Sequence, residues 1–217
     1  MILDFLFPNR CLHCDLIIPA QEIVCPTCLT RIEFTHYLFH EKNLLLQKCQ
    51  LLFPTEYAWG LMYFKKESLN QKIIHHLKYG RREKIGKVLA LWTAERIQPH
   101  ILNFPTLLTT IPLHPKKQRK RGYNQLHLFA NTLSELWKIP VQHELLKRNS
   151  HGKAQAQKNK NERQTQRDLF SLQKELSNEH ILIIDDVFTT GNTMSQAAWE
   201  ILSQPQTKVS VLVMAID

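Results

Sequence analysis

The chain has 217 residues, 43% of them hydrophobic and 9% aromatic, which is enough for a packed core and too apolar for a disordered chain. Six glycines and ten prolines exclude collagen-like and low-complexity architectures, and no apolar run approaches the roughly 18 residues of a membrane span. The net charge of +9 sits in two segments: 114–122 holds five basic residues and no acid, and 147–167 holds seven against Glu162, so the remainder is slightly acidic. Such asymmetry points to a directed anion-binding surface, for which phosphorylated small molecules and nucleic acid both qualify. The opening Met1–Pro8 has no basic leader and too short an apolar stretch for a signal peptide, so a cytoplasmic protein without membrane insertion is expected.

In chain order the first unit is 1–35, read as a ribbon with short strands. It carries Cys11-Leu-His-Cys14 and Cys25-Pro-Thr-Cys28. A two-residue gap lets both thiolates of a pair face one point, and two such knuckles supply four soft ligands at a tetrahedral site, the arrangement zinc prefers. Two disulfides or a redox dithiol are the rivals; a reducing compartment disfavours the first, and no βαβ pattern surrounds either pair. Four thiolates leave no open position, so the zinc is expected to be structural and to supply most of the ribbon's folding energy. His13 is expected at the surface and Cys49, within the apolar stretch 44–53, in the core.

Residues 36–55 form a linker with a helix over 40–53, stopped by Pro54. The third unit is 56–217. Its aromatic stretch 56–64 reads as a strand, followed by helices near 67–79 and 83–98 that separate around Gly80; His75 and His76, on the first, are expected to be partly exposed. The apolar run 106–111 reads as a buried strand feeding the first basic loop. A helix follows over 123–137, a short strand over 141–146, and a Gln-, Asn- and Lys-rich loop or weak helix over 149–167. The run His180–Ile184 is a parallel-sheet type of strand, 193–203 a helix and 208–216 a last strand. Strands alternating with helices predict an α/β fold with an open, mostly parallel sheet and ligands at the carboxyl ends of its strands.

Behind Ile184 the chain reads Asp185-Asp186-Val187-Phe188-Thr189-Thr190-Gly191-Asn192-Thr193. Gly191 permits a left-handed turn, which lets the N–H groups of 190–193 converge on one anion at the positive end of the next helix. Thr189, Thr190 and Thr193 add neutral hydroxyl donors. Asp185 and Asp186 would repel a phosphate, but they suit sugar hydroxyls or a water-mediated Mg²⁺. Phosphate on one side and vicinal hydroxyls on the other describe a ribose 5-phosphate. Thr193 with Gln196 also fits an ordinary capping box.

This nonapeptide resembles the phosphoribosyl pyrophosphate (PRPP) motif of type I phosphoribosyltransferases. The four-cysteine ribbon, Leu77-Lys78-Tyr79-Gly80, and Ile111-Pro-Leu-His114 followed by Arg121-Gly-Tyr-Asn-Gln125 narrow the resemblance to the ComF/ComFC family of competence-related proteins. The resemblance implies a phosphoribosyltransferase-like domain in which Asp185 and Asp186 contact the ribose and Thr189, Thr190, Gly191, Asn192 and Thr193 hold the 5-phosphate. It also implies a loop after Ile111 that approaches the pyrophosphate and ends at Arg121, and a hood over 148–170. Gln155, Glu162, Arg163 and Phe170 match the family's hood pattern, whereas Gln166 stands near its Asn.

A working transferase would need Mg²⁺ and cations such as Lys116, Lys117, Arg119, Arg121 and Arg163 to stabilise departing pyrophosphate. The family resemblance instead favours natural transformation: imported single-stranded DNA would meet Lys116, Lys117, Arg119, Lys120, Arg121 and Arg163, with Tyr123 as a stacking residue and competence proteins as partners. Phe188 suits stacking and the core equally. A metabolic or salvage transferase acting on a nitrogenous acceptor is the alternative.

Overall fold

The computed structural model describes residues 8–79, 82, 84–97, 104–149 and 169–217; Gly80, Arg163 and the hood residues 150–168 lie outside the described residues. In chain order the elements are α1 (Pro26–Leu29), α2 (Leu44–Gln50), β1 (Ala58–Tyr63), α3 (Leu69–Tyr79), α4 (Lys84–Ala94), β2 (Leu107–Thr110), α5 (Pro115–Arg121), α6 (Gln125–Trp137), β3 (Leu146–Arg148), β4 (Phe170–Leu172), β5 (His180–Phe188), α7 (Asn192–Leu202) and β6 (Lys208–Ile216). Four strands form one sheet in the order β1-β6-β5-β2, and every pairing in it is parallel. The inner strands are continuous runs of Ile, Leu and Val because helices cover both faces; Ile181–Ile184 and Val211–Val213 are fully buried. Among the described residues no helix is long and apolar enough to cross a membrane.

The sheet has a step in it. The β2 strand stops at Thr110, opposite Ile184, while β5 runs on beside β6 as far as Phe188. The expected end of this strand at Ile184 is thus four residues early. Pairing with β6 keeps Asp185 and Asp186 extended despite their charge. The step leaves both carboxylates at the carboxyl edge of the sheet, where open α/β sheets bind ligands.

Further expectations change. The basic loop at 115–121 is a helix: Pro115 stands at its first turn, the His114 Nδ1 accepts the Lys116 N–H at 3.2 Å, and Gly122 closes it at φ 81°. Proline inside the start and glycine past the end are the usual helix asymmetry. The strand expected over 141–146 is only a single parallel bridge from Val141 to Leu108. The chain then turns off the sheet edge, and β3 pairs antiparallel with β4 instead.

Among the described residues the ribbon holds an internal antiparallel bridge, Arg10 to Ile17, and a second from Phe34 to Met62 of β1; the rest is turns and α1. It docks on α4: Phe34 meets Trp92 edge-on at 5.7 Å, the Arg96 guanidinium lies 4.1 Å over the Phe34 ring, and Lys84 Nζ donates to Asn9 Oδ1 at 2.5 Å. His13 is half-buried rather than at the surface, because Arg31 Nη1 meets its Nε2 at 3.1 Å. Cys49 is fully buried, and burial pushes its thiol up to about 12. His75 is exposed and His76 half-buried.

Candidate functional site

The Sγ atoms of Cys11, Cys14, Cys25 and Cys28 lie within 4.8 Å of one another, and none of the four cysteines is in a disulfide. Four sulfurs on zinc at about 2.3 Å would stand about 3.8 Å apart; Cys14 and Cys25 Sγ are 3.6 Å apart. The Cys25 N–H donates to Cys11 Sγ at 3.3 Å and the Cys28 N–H to Cys25 Sγ at 3.4 Å, as in a thiolate knuckle. Burial raises the Cys11 thiol, but N–H donors from Cys14, Cys25 and His13 outweigh it and bring it to about 6. The residues fit a structural zinc, and three of the four are buried.

The second centre lies at the carboxyl edge of β5. Gly191 adopts φ 75° and begins α7 without a side-chain cap, so the capping box open to Thr193 and Gln196 does not form. Its turn is closed from behind: a Cβ there would collide with Leu52 Cδ1 and come within 2.7 Å of Phe188 Cζ. The Phe188 side chain is buried, which settles its role as core. Thr189, Thr190 and Asn192 are exposed and Thr193 half-buried. Among the described residues, neither these side chains nor the N–H groups of 190–193 have a protein acceptor. The turn therefore offers free donors at a helix amino end, which suits an anion.

The carboxylates are held unequally. Asp186 is 8% exposed; its Oδ1 meets Lys78 Nζ at 2.8 Å and its Oδ2 accepts from Gln125 Nε2 at 2.6 Å. Gln125 in turn accepts from Arg121 Nη1 at 2.7 Å, and the Arg121 guanidinium lies 5.0 Å over the Tyr79 ring. Asp185 is half-buried, and its Oδ1 accepts the Asp186 N–H at 2.8 Å. Burial and the neighbouring negative charge of Asp186 push the Asp185 carboxyl up to about 7, against the pull of Lys78 and Arg148. One carboxylate is thus committed to fixed partners and the other is poised to titrate near neutrality.

Lys78 and Gln125 stand within the Leu77–Gly80 and Arg121–Gln125 segments, but nothing in their spacing along the chain assigns them to this site. Tyr123 is half-buried, and its hydroxyl donates to the Leu77 carbonyl at 2.6 Å, which ties the α5–α6 junction to α3. Lys116, Lys117, Arg119 and Lys120 are exposed on α5, and Arg121 is half-buried at its end.

Known proteins are similar to this chain in sequence. Residues 2–39 match the family described as "Double zinc ribbon domain". Competence protein F of Haemophilus influenzae is 30% identical over 208 residues, covering 88% of this chain and 89% of that protein. DNA utilization protein YhgH of Escherichia coli (strain K12) is 27% identical over 144 residues, 64% of this chain and 63% of that protein. Competence protein ComFC of Bacillus subtilis is 34% identical over 93 residues, 42% of this chain and 36% of that protein.

Proposed function

Since the chain belongs to the ComF/ComFC family of competence proteins, we propose that it acts in the uptake and use of DNA, with PRPP as its small-molecule ligand. The observation that carries the PRPP reading is the pairing of a donor-rich turn at 189–193 with two carboxylates on the same strand end. The 5-phosphate would take the free N–H and hydroxyl donors, and the ribose hydroxyls would donate to Asp185 and Asp186. Asp185 would be the residue to hold Mg²⁺ through water, since hard cations favour oxygen ligands, and the ion would offset the charge of the pyrophosphate. Lys78 and Gln125 fix Asp186, so the acceptor geometry exists before the ligand arrives, which reduces the ordering cost of binding.

DNA is the proposed macromolecular partner. The relatives named for competence and DNA utilization support it, as do the four exposed cations of α5 with no acid among them. Single-stranded DNA would lie along this helix through phosphate contacts, so its affinity would fall steeply with salt.

Calorimetry of the zinc-loaded protein with PRPP and Mg²⁺ tests the ligand. Saturable heat is expected, and it should vanish in the Asp185→Ala/Asp186→Ala variant. Binding that survives both substitutions would place the ligand elsewhere. Pyrophosphate release with candidate acceptors separates a transferase from a PRPP-binding protein without turnover.

A further inference from the structure

A second cleft of about 980 Å³ opens beside the β2–α5 connection, and none of residues 185–193 lines it. Its size suits a small organic ligand, since such sites span roughly 300–1,000 Å³. Its most unusual feature is a pair of imidazoles. His127 of α6 and His143 stack with ring centroids 3.9 Å apart and planes at 25°. His143 is pinned at both nitrogens: Nδ1 lies 3.2 Å from Thr110 Oγ1, and Nε2 lies 2.8 Å from Asn131 Oδ1. The Asn131 oxygen only accepts, so Nε2 carries the proton and Nδ1 accepts from Thr110. Burial, with the charge of His127 beside it, holds His143 down at about 4, so the ring is neutral at physiological pH. His127 thereby has a rigid backing, and its own nitrogens have no hydrogen-bond partner among the described residues.

The rest of the lining complements this platform. Pro112 and Leu113 add apolar surface, and Lys147, Arg148 and Lys174 add three cations against the single acid Glu144. Lys147 and Lys174 are exposed, whereas the Arg148 guanidinium lies 5.6 Å over the Phe170 ring and acts on Asp185, so the two lysines are the cations open to a ligand. A flat aromatic face, apolar walls and two exposed lysines in one lining together fit a planar heteroaromatic that carries a phosphate. We propose that this cleft is a second, separate ligand site that binds a nucleoside 5′-monophosphate, with the base against His127 and the phosphate between Lys147 and Lys174. The nucleotide is either free or the phosphorylated end of a single strand; both present the same chemistry.

The test is NMR of the full-length zinc-loaded protein, following the His127 and His143 ring signals together with the Gly191 amide. Adenosine 5′-monophosphate should shift both rings saturably, with adenosine or inorganic phosphate about tenfold or more weaker. Ribose 5-phosphate, the fragment suited to the turn at 189–193, should move the rings no more strongly than inorganic phosphate does. Charge reversal at two exposed positions, Lys147→Glu/Lys174→Glu, should weaken the nucleotide by about tenfold or more without changing the melting temperature. His127→Ala should do the same to binding. The ring response should persist in Asp186→Asn, so that failure of the PRPP reading and failure of this one are told apart. A 5′-phosphorylated oligonucleotide that outcompetes the mononucleotide identifies a strand end; a weaker one identifies the free nucleotide. Rings silent to millimolar nucleotide, or a ring shift unaffected by the charge reversal, would overturn the proposal.

Discussion

The Lys78 ammonium lies 2.8 Å from Asp186 Oδ1, with side-chain exposures of 23% and 11%. Gln125 occupies the other carboxylate oxygen at 2.6 Å, so two helices distant in sequence converge on one side chain of β5. Removing one partner leaves a largely buried carboxylate underpaired, and Lys78→Met or Gln125→Leu should each lower stability by about 1–3 kcal/mol. Because both act on one acceptor, the double variant should depart from the sum of the two. Urea unfolding reads this; unchanged midpoints in both single variants would contradict it.

Asp185 makes stability depend on pH. Its native carboxyl titrates at about 7, and an unfolded aspartate at about 3.9. Below pH ~4 both states hold the proton and the contribution is complete. Between ~4 and about 7 the unfolded state ionises first, so stability falls as pH rises. Asp185→Asn keeps an acceptor for the Asp186 N–H and should flatten this slope, gaining on the order of 1–2 kcal/mol at pH 8. Denaturation midpoints of the magnesium-free protein from pH 5 to pH 8 check it, and parallel curves for the two proteins would refute it.

Gly191→Ala faces two obstacles. A left-handed φ costs a residue with a Cβ about 1–2 kcal/mol, and the new methyl would strike Leu52 and Phe188. The variant should lose about 2–4 kcal/mol and bind PRPP more weakly. Adding Leu52→Ala should recover at most the Leu52 share of the clash, since Phe188 still stands against the new methyl. Full recovery in the double variant would show that the backbone at 191 carries no strain.

The zinc-loaded protein should hold one zinc per chain by elemental analysis. Cys25→Ser should release it, because the substitution removes both a ligand and the sulfur that accepts the Cys28 N–H. Amide exchange should then rise across 9–35, while β5 and β6 keep their protection. Full zinc retention in this variant would refute a four-cysteine site.

Replacing Lys116, Lys117 and Lys120 with Gln should weaken single-stranded DNA most at low salt. The slope of log affinity against log salt should flatten by about 0.7 for each phosphate that is no longer neutralised. These side chains are exposed and the helix has no buried residue, so its fold should persist. An unchanged slope would move the DNA elsewhere.

The zinc ligands and the turn at 189–193 were legible because their chemistry is local: the cysteines stand two apart, and the donors of the turn follow one another. Lys78 and Gln125 were not, because the hydrogen bond from Gln125 to Asp186 spans 61 residues and only the sheet brings the two together. The α5 helix had its signals in plain view, Pro115 and Gly122, but five like charges in seven positions concealed them. The step between β2 and β5 was invisible because strand length is set by the neighbouring strand, not by the hydrophobicity of Asp185 and Asp186 themselves. The stacked histidines were hidden in the same way, since one sits on α6 and the other in the segment leaving the sheet edge.

The Leu52 side chain that backs Gly191 belongs to a segment preceding the sheet, and its carbonyl accepts from Trp199 Nε1 at 3.1 Å. Lys48, one turn earlier, donates to the Asp217 carbonyl at 3.0 Å, and the Asp217 N–H returns to Phe188 at 2.9 Å. Amino-terminal chain thus clamps both the final residue and the turn at 191. A truncation starting after residue 53 would take away the rear wall of that turn, and any shortened version meant to report on ligand binding must retain it.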